Sequence, residues 1–81
     1  MQIKLSDTAI KQYQKLPASL KKKTDKQFGY LLSDFRHPSL HAKKYQGHDD
    51  LWQARIDNDC RFYFFVIEPS YIVVSIIKHP K

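Results

Sequence analysis

The stretch from residue 51 to residue 65, LWQARIDNDCRFYFF, constrains the fold of this chain more than any other. In LWQARI, Trp52, Ala54 and Ile56 occupy one parity, and Leu51, Gln53 and Arg55 the other, which is the period of a half-buried strand. In CRFYFFVI, Phe62, Phe64 and Val66 share one parity, and Arg61, Tyr63, Phe65 and Ile67 share the other. Between the two runs, Asp57, Asn58 and Asp59 have turn composition, because Asx side chains bond nearby backbone and tolerate the left-handed region. If all three form the loop, Ile56 faces Cys60, Arg55 faces Arg61, Ala54 faces Phe62 and Trp52 faces Phe64. That register gathers the apolar residues on one face and sets two arginines side by side on the other. Like charges opposed across strands oppose folding, so a sheet that carries them offers them to an anion. A two-residue loop would send the arginines to opposite faces.

The rest of the composition bounds what can cover this hairpin. A chain of 81 residues has room for one small domain, residues 1–81, near the lower limit for a self-sufficient core. An apolar fraction of 42% with 14% aromatics is enough for globular folding and argues against a disordered tail. No run approaches a membrane span, and MQIKLSD lacks the apolar core of a signal peptide. One cysteine builds no disulfide framework, so a cytoplasmic protein with no membrane partner is the expectation. A net charge of +6 suits nucleic acid or an acidic protein as partner, or simply solubility.

Taken in order, residues 2–5 alternate as a short strand, and Ser6 or Asp7 can cap a helix in which Ile10, Tyr13 and Leu16 recur at helical spacing. Pro17 stops that pattern, and Ser19 is a second cap, opening a longer helix with apolar positions Leu20, Phe28, Leu31, Leu32 and Phe35. Gly29 costs this helix about 1 kcal/mol relative to Ala and can mark a close helix crossing. Arg36, His37 and Pro38 end the helix. Residues 41–45 read as a charged strand. After the hairpin, Glu68, Pro69 and Ser70 form a turn in which Ile67 faces Tyr71 and Tyr63 faces Ser75. Residues 71–78 are the last strand, with Ile72, Val74 and Ile76 as its apolar parity. The expected fold is α+β: an N-terminal strand and an αα-hairpin packed on one face of an antiparallel sheet that ends in a three-strand meander.

The uncovered face then carries Arg55, Arg61, Tyr63 and His79, with Lys43 or Lys44 on the preceding strand. Arginine forks match phosphate oxygens, and a histidine gives or takes a proton near neutrality. These are the parts for metal-free RNA cleavage, in which a ribose 2′-hydroxyl attacks the adjacent phosphate. The competing readings are solvated cations for the arginines and lysines, an amphipathic surface residue for Tyr63, and a frayed terminal histidine for His79. His37, His41 and His48 read as surface residues, their spacings fit no zinc pattern, and no cofactor is called for. Cys60 falls on the buried face beside Ile56, in a small apolar role.

The order of these features resembles the RelE/ParE superfamily of bacterial toxin-antitoxin toxins. The resemblance runs through the leading strand, the helix ending in KLP, a second helix, HPSLHAKKYQG, LWQARI, CRFYFF and the terminal VVSIIKH. Its most telling part is residues 37–47, where many members carry a proline-leucine-lysine stretch ending in glycine.

The resemblance implies the toxin of a type II toxin-antitoxin system, neutralised by a cognate antitoxin encoded nearby. RelE-type members cut mRNA in the ribosomal A site, so ribosome and mRNA are the implied partners and an mRNA endoribonuclease the implied enzyme. Arg61 matches an arginine that such nucleases use for phosphate stabilisation, and His79 a position that is arginine or histidine; these two are the implied catalytic residues. Lys43, Lys44 and Arg55 match basic positions and are the implied substrate-binding residues. Many members continue with a short tail ending in a site tyrosine, whereas this sequence stops at Lys81, so that role is expected to be unfilled or taken by Tyr63. The alternative implied by the superfamily is a non-nuclease: a ParE-like DNA gyrase inhibitor, or an inactive homologue that only binds antitoxin.

Overall fold

A computed structural model describes residues 1–45 and 50–78. Strand β1 (Gln2–Leu5) leads into helices α1 (Asp7–Gln14) and α2 (Ala18–Ser33), then a 3-10 turn (Pro38–Leu40). Strands β2 (Lys43–Lys44), β3 (Leu51–Arg55), β4 (Cys60–Ile67) and β5 (Ser70–Lys78) follow. The sheet has the order β1-β5-β4-β3-β2. Strands β2 to β5 pair antiparallel as a meander, and β1 pairs parallel to β5, so the sheet is mixed.

The central hairpin has the expected register: Arg55 faces Arg61, Ala54 faces Phe62, and Trp52 faces Phe64. The Ile56 N–H donates to the Cys60 carbonyl at 2.9 Å, which closes the turn on Asp57, Asn58 and Asp59. Ala54, Phe62, Phe64, Cys60 and Leu31 are fully buried, and Leu40 joins them from the 3-10 turn. Aromatic rings fill the layer between sheet and helices. Phe28 meets Phe62 edge-on at 5.1 Å, and Phe35 meets Trp52 at 4.9 Å, geometries that aromatic quadrupoles favour.

Helix α1 is anchored to β5 by polar atoms. Ser6 is the N-cap, its hydroxyl accepting the Ala9 N–H at 3.1 Å while donating to the Val74 carbonyl at 2.9 Å. The Ile76 N–H donates to Gln12 Oε1 at 2.7 Å. The Ser6 bond satisfies Val74, the residue that a register shift opposite Tyr63 and Phe64 leaves unpaired with β4, and the Gln12 bond satisfies β5 backbone past the end of its pairing with β1.

That shift corrects the expected pattern of β5. The turn after β4 closes on two residues, with a cis Glu68–Pro69 peptide, so Ile67 faces Ser70 rather than Tyr71. The buried apolar residues of β5 are Tyr71, Val73 and Ile76, not Ile72, Val74 and Ile76. Tyr63 nevertheless faces Ser75, because the displaced register at the turn is recovered at the shift.

The helices differ from expectation in detail. Pro17, not Ser19, is the N-cap of α2, and it contributes no side-chain bond. The helix ends at Ser33, where Asp34 turns the chain by accepting the Arg36 N–H at 3.1 Å, so Phe35 packs from outside the helix. Leu32 and Ile10 face solvent at 48% and 41% exposure, while Ala9, Thr24, Gln27 and Leu31 take the buried positions. Gly29 is exposed, with open space where a Cβ would stand, so no close helix crossing occurs there. The charged strand expected at residues 41–45 is reduced to Lys43–Lys44.

Candidate functional site

The side of the sheet away from the helices is left open by the described residues, and the register of β3 and β4 determines what stands on it. Leu51 and Phe65, Gln53 and Tyr63, and Arg55 and Arg61 are opposed pairs of the same parity. At the end near the 57–59 turn, His41, Lys43, Gln53, Arg55 and Arg61 line a cleft of about 220 Å³, floored by Ala54. Those lining residues include no carboxylate.

The turn holds both arginines. Arg55 donates from Nη2 to Asn58 Oδ1, and its Nη1 stands 3.5 Å from His41 Nε2. Arg61 donates from Nη1 to the carbonyls of Asp57, at 2.5 Å, and Cys60, at 3.2 Å. Its Nε and Nη2 have no hydrogen-bond partner among the described residues, and no carboxylate there lies within ion-pair distance of either guanidinium. Binding the arginines through neutral oxygens fixes their direction and, among the described residues, leaves their charge uncompensated, which is what an anion site requires.

Asp57, the first residue of the turn, directs its carboxylate toward α2. Its carboxylate pairs with Lys23 of α2 at 3.5 Å and accepts the Asp59 N–H at 2.9 Å. Partial burial works to raise its pKa, but the Asp59 N–H, Lys23 and the Cys60 N–H together outweigh burial and hold the pKa below the ordinary carboxylate value. Burial also pushes the Cys60 thiol up, with Asp57 adding to the effect, as befits an inert packed thiol.

The two lysines of β2 are separated. Lys43 pairs with Gln53 and shares the arginine face, whereas Lys44 pairs with Trp52 and sets its ammonium 5.9 Å from the Trp52 ring on the opposite parity. Tyr63 meets Tyr45 edge-on at 5.4 Å. His79 lies outside the described residues, as does His48.

Two residues that the sequence reading passed over belong to the site. His41 enters the cleft from the end of the 3-10 turn, where its backbone takes a left-handed conformation, φ 47°. Gln27 is 5% exposed, and its Nε2 donates to the Arg55 carbonyl at 2.8 Å and the Ser39 carbonyl at 3.1 Å. The Ser39 hydroxyl donates back to Gln27 Oε1 at 3.3 Å. One side chain thus ties α2 to the strand that carries Arg55 and to the turn that carries His41. The signal for Gln27 was its place with Thr24 and Leu31 on one helical stripe.

Beyond Tyr63, the open face becomes apolar. Ile67 is 60% exposed, Tyr45 also faces solvent, and Leu51, Phe65 and Ile72 are half-buried on the same side, while the exposed Ile77 stands at the other end, opposite Arg61. Among the described residues no His, Cys, Asp and Glu side chains group in a way that could hold a metal ion, and no helix is long and apolar enough to cross a membrane.

No protein-family model and no curated protein sequence matches this chain. Solved structures do. A YoeB/ParE toxin from Agrobacterium tumefaciens superposes with a TM-score of 0.83 at 16% identity, over 99% of this chain and 100% of that one. The archaeal RelE-RelB complex from Pyrococcus horikoshii gives 0.80 at 18% identity, over 99% and 96%. The isolated Escherichia coli RelE toxin gives 0.77 at 20% identity, over 98% and 84%. The chain therefore has the RelE/ParE toxin fold, as the order of its sequence features implied.

Proposed function

We propose that this chain, built on the RelE/ParE toxin fold, is the toxin of a type II toxin-antitoxin pair and acts as a ribosome-dependent mRNA endoribonuclease. The observation that carries the proposal is the pairing of Arg55 and Arg61 across β3 and β4, in a cleft that Lys43 joins and that no carboxylate among the described residues lines. Such a cleft binds a phosphodiester and gains strength as charge builds on the phosphorane oxygens during attack by the 2′-hydroxyl. Arg61 is the transition-state cation, Arg55 orients the scissile phosphate, and Lys43 holds the RNA backbone. Lys44, turned toward Trp52, meets the RNA only at the sheet edge. His79 keeps its place in the proposal through family resemblance alone.

The neutralising partner is an acidic antitoxin segment on the open face. The chain's +6 charge, the exposed Ile77 opposite Arg61 and the exposed Ile67 at the far end of β4 give it both an electrostatic and an apolar foothold. RelB-RelE complexes among the structural relatives support a partner of this kind. Message cleavage on programmed ribosomes tests the enzymatic reading. Wild-type protein should cut within the A-site codon and Arg61→Ala should not. Uncut message with wild type, together with inhibited DNA supercoiling by gyrase, would move the protein to the ParE-like activity.

A further inference from the structure

We propose that His41 is the general base of this site, taking the 2′-hydroxyl proton on Nε2. The inference rests on the ribonuclease reading above and adds to it a residue from the 3-10 turn.

Three observations carry it. His41 lines the same cleft as Lys43, Arg55 and Arg61, so its ring stands beside the place where a phosphate would sit. The ring nitrogen nearest Arg55 is Nε2, 3.5 Å from Nη1, and a guanidinium can only donate. Of the two neutral tautomers, the one with an unprotonated Nε2 is the one that can accept from Arg55, and it is also the form a base needs. Third, among the described residues His41 is the only non-glycine at positive φ, and its N–H is held by the Pro38 carbonyl at 3.2 Å. A side chain with Cβ in the left-handed region costs backbone energy, and such positions cluster where geometry serves a site. The charged and titratable groups around the ring are Lys43, Arg55 and Arg61 in the cleft, and Arg36 and His37 in the adjoining one.

The step balances. The 2′-oxygen forms a bond to phosphorus while its proton moves to His41 Nε2. The bond from phosphorus to the 5′-oxygen breaks, and that oxygen takes a proton from water. The imidazolium then returns its proton to solvent, leaving a 2′,3′-cyclic phosphate and a 5′-hydroxyl.

His41→Gly tests this, because glycine adopts positive φ without cost and leaves a space the size of an imidazole. Single-turnover cleavage of ribosome-bound message should fall roughly 10²- to 10⁴-fold, the usual contribution of a general base. Added imidazole should restore the rate in proportion to its neutral form, and the acidic limb of the wild-type rate–pH profile should vanish in the variant without imidazole. Binding to programmed ribosomes should be unchanged. His41→Asn, which also tolerates the left-handed region, should match His41→Gly in rate but resist rescue. Cleavage by His41→Gly close to the wild-type rate, or lost activity that imidazole fails to restore, overturns the role of His41 while leaving the nuclease intact. Absence of cleavage by wild type overturns the nuclease reading and this role with it.

Discussion

Gln27 Nε2 donates to the Arg55 carbonyl oxygen at 2.8 Å, so a buried amide of helix α2 holds the backbone of a site arginine on the far side of the core. The same nitrogen reaches Ser39, two residues before His41. Helix, turn and strand therefore meet at one side chain. Replacing it with Leu keeps the volume but takes the donor from two part-buried carbonyls, while the Ser39 hydroxyl keeps His37 Nδ1 at 2.9 Å, at a cost of about 1–3 kcal/mol for each group left unsatisfied. Urea unfolding of Gln27→Leu should show a lowered midpoint with an unchanged slope, and message cleavage should weaken in the folded variant. Wild-type stability in Gln27→Leu would show that the bonds to Ser39 and Arg55 carry little energy.

Gly29 gives the opposite sign. It lies within α2, exposed, with nothing within 4 Å of a built Cβ. Gly29→Ala should stabilise the fold by about 0.5–1 kcal/mol through lost unfolded-state entropy and better helix propensity. Chemical denaturation reads the change directly.

Ser6 works at both ends of one hydroxyl, capping α1 and bonding the Val74 carbonyl at the shifted part of β5. Ser6→Ala should cost about 0.5–2 kcal/mol from the cap alone, and more if the Val74 carbonyl stays dry. Hydrogen exchange in the variant should quicken first at the amides of the first turn of α1.

Asp57 predicts the acid limb of the stability curve. Its folded pKa is held below the ordinary value, so its contribution is fully present above the unfolded carboxylate pKa and is lost as pH falls through the folded one. Asp57→Asn keeps an acceptor for the Asp59 N–H but gives up the Lys23 pair. Its stability relative to wild type should therefore converge on acidification. A wild-type advantage that persists below both pKa values would mean the carboxylate's charge is not what stabilises the turn.

Much of this was readable from the residues, and the failures have physical causes. The hairpin register followed from LWQARI and CRFYFF because only a three-residue loop puts Trp52, Ala54, Phe62 and Phe64 on one side, and the same register paired the arginines. Strand β5 resisted the same reasoning. A register shift reverses side-chain parity midway, and a run of Ile, Val and Val residues reads as apolar on both faces. Gln27 and His41 were passed over because a polar residue on a helix and a histidine in a loop look like surface until the tertiary fold brings them to Arg55. Lys43 and Lys44, adjacent in sequence, became distinguishable only through their partners Gln53 and Trp52.

That separation yields a prediction of its own. Lys43→Ala should weaken binding to programmed ribosomes and lower the salt slope by about 1, as expected for one lost phosphate contact, and Lys44→Ala should do less. Equal losses would place the RNA across the sheet edge rather than along the arginine face.

The role of Arg55 and Arg61 as a phosphate site is tested most directly by the chemistry of the cut ends. Message bound to ribosomes and treated with wild-type protein should yield fragments ending in 2′,3′-cyclic phosphate and beginning with 5′-hydroxyl, and Arg61→Ala should abolish them while remaining folded. Fragments bearing 5′-phosphate, or equal cleavage by Arg61→Ala, would contradict it.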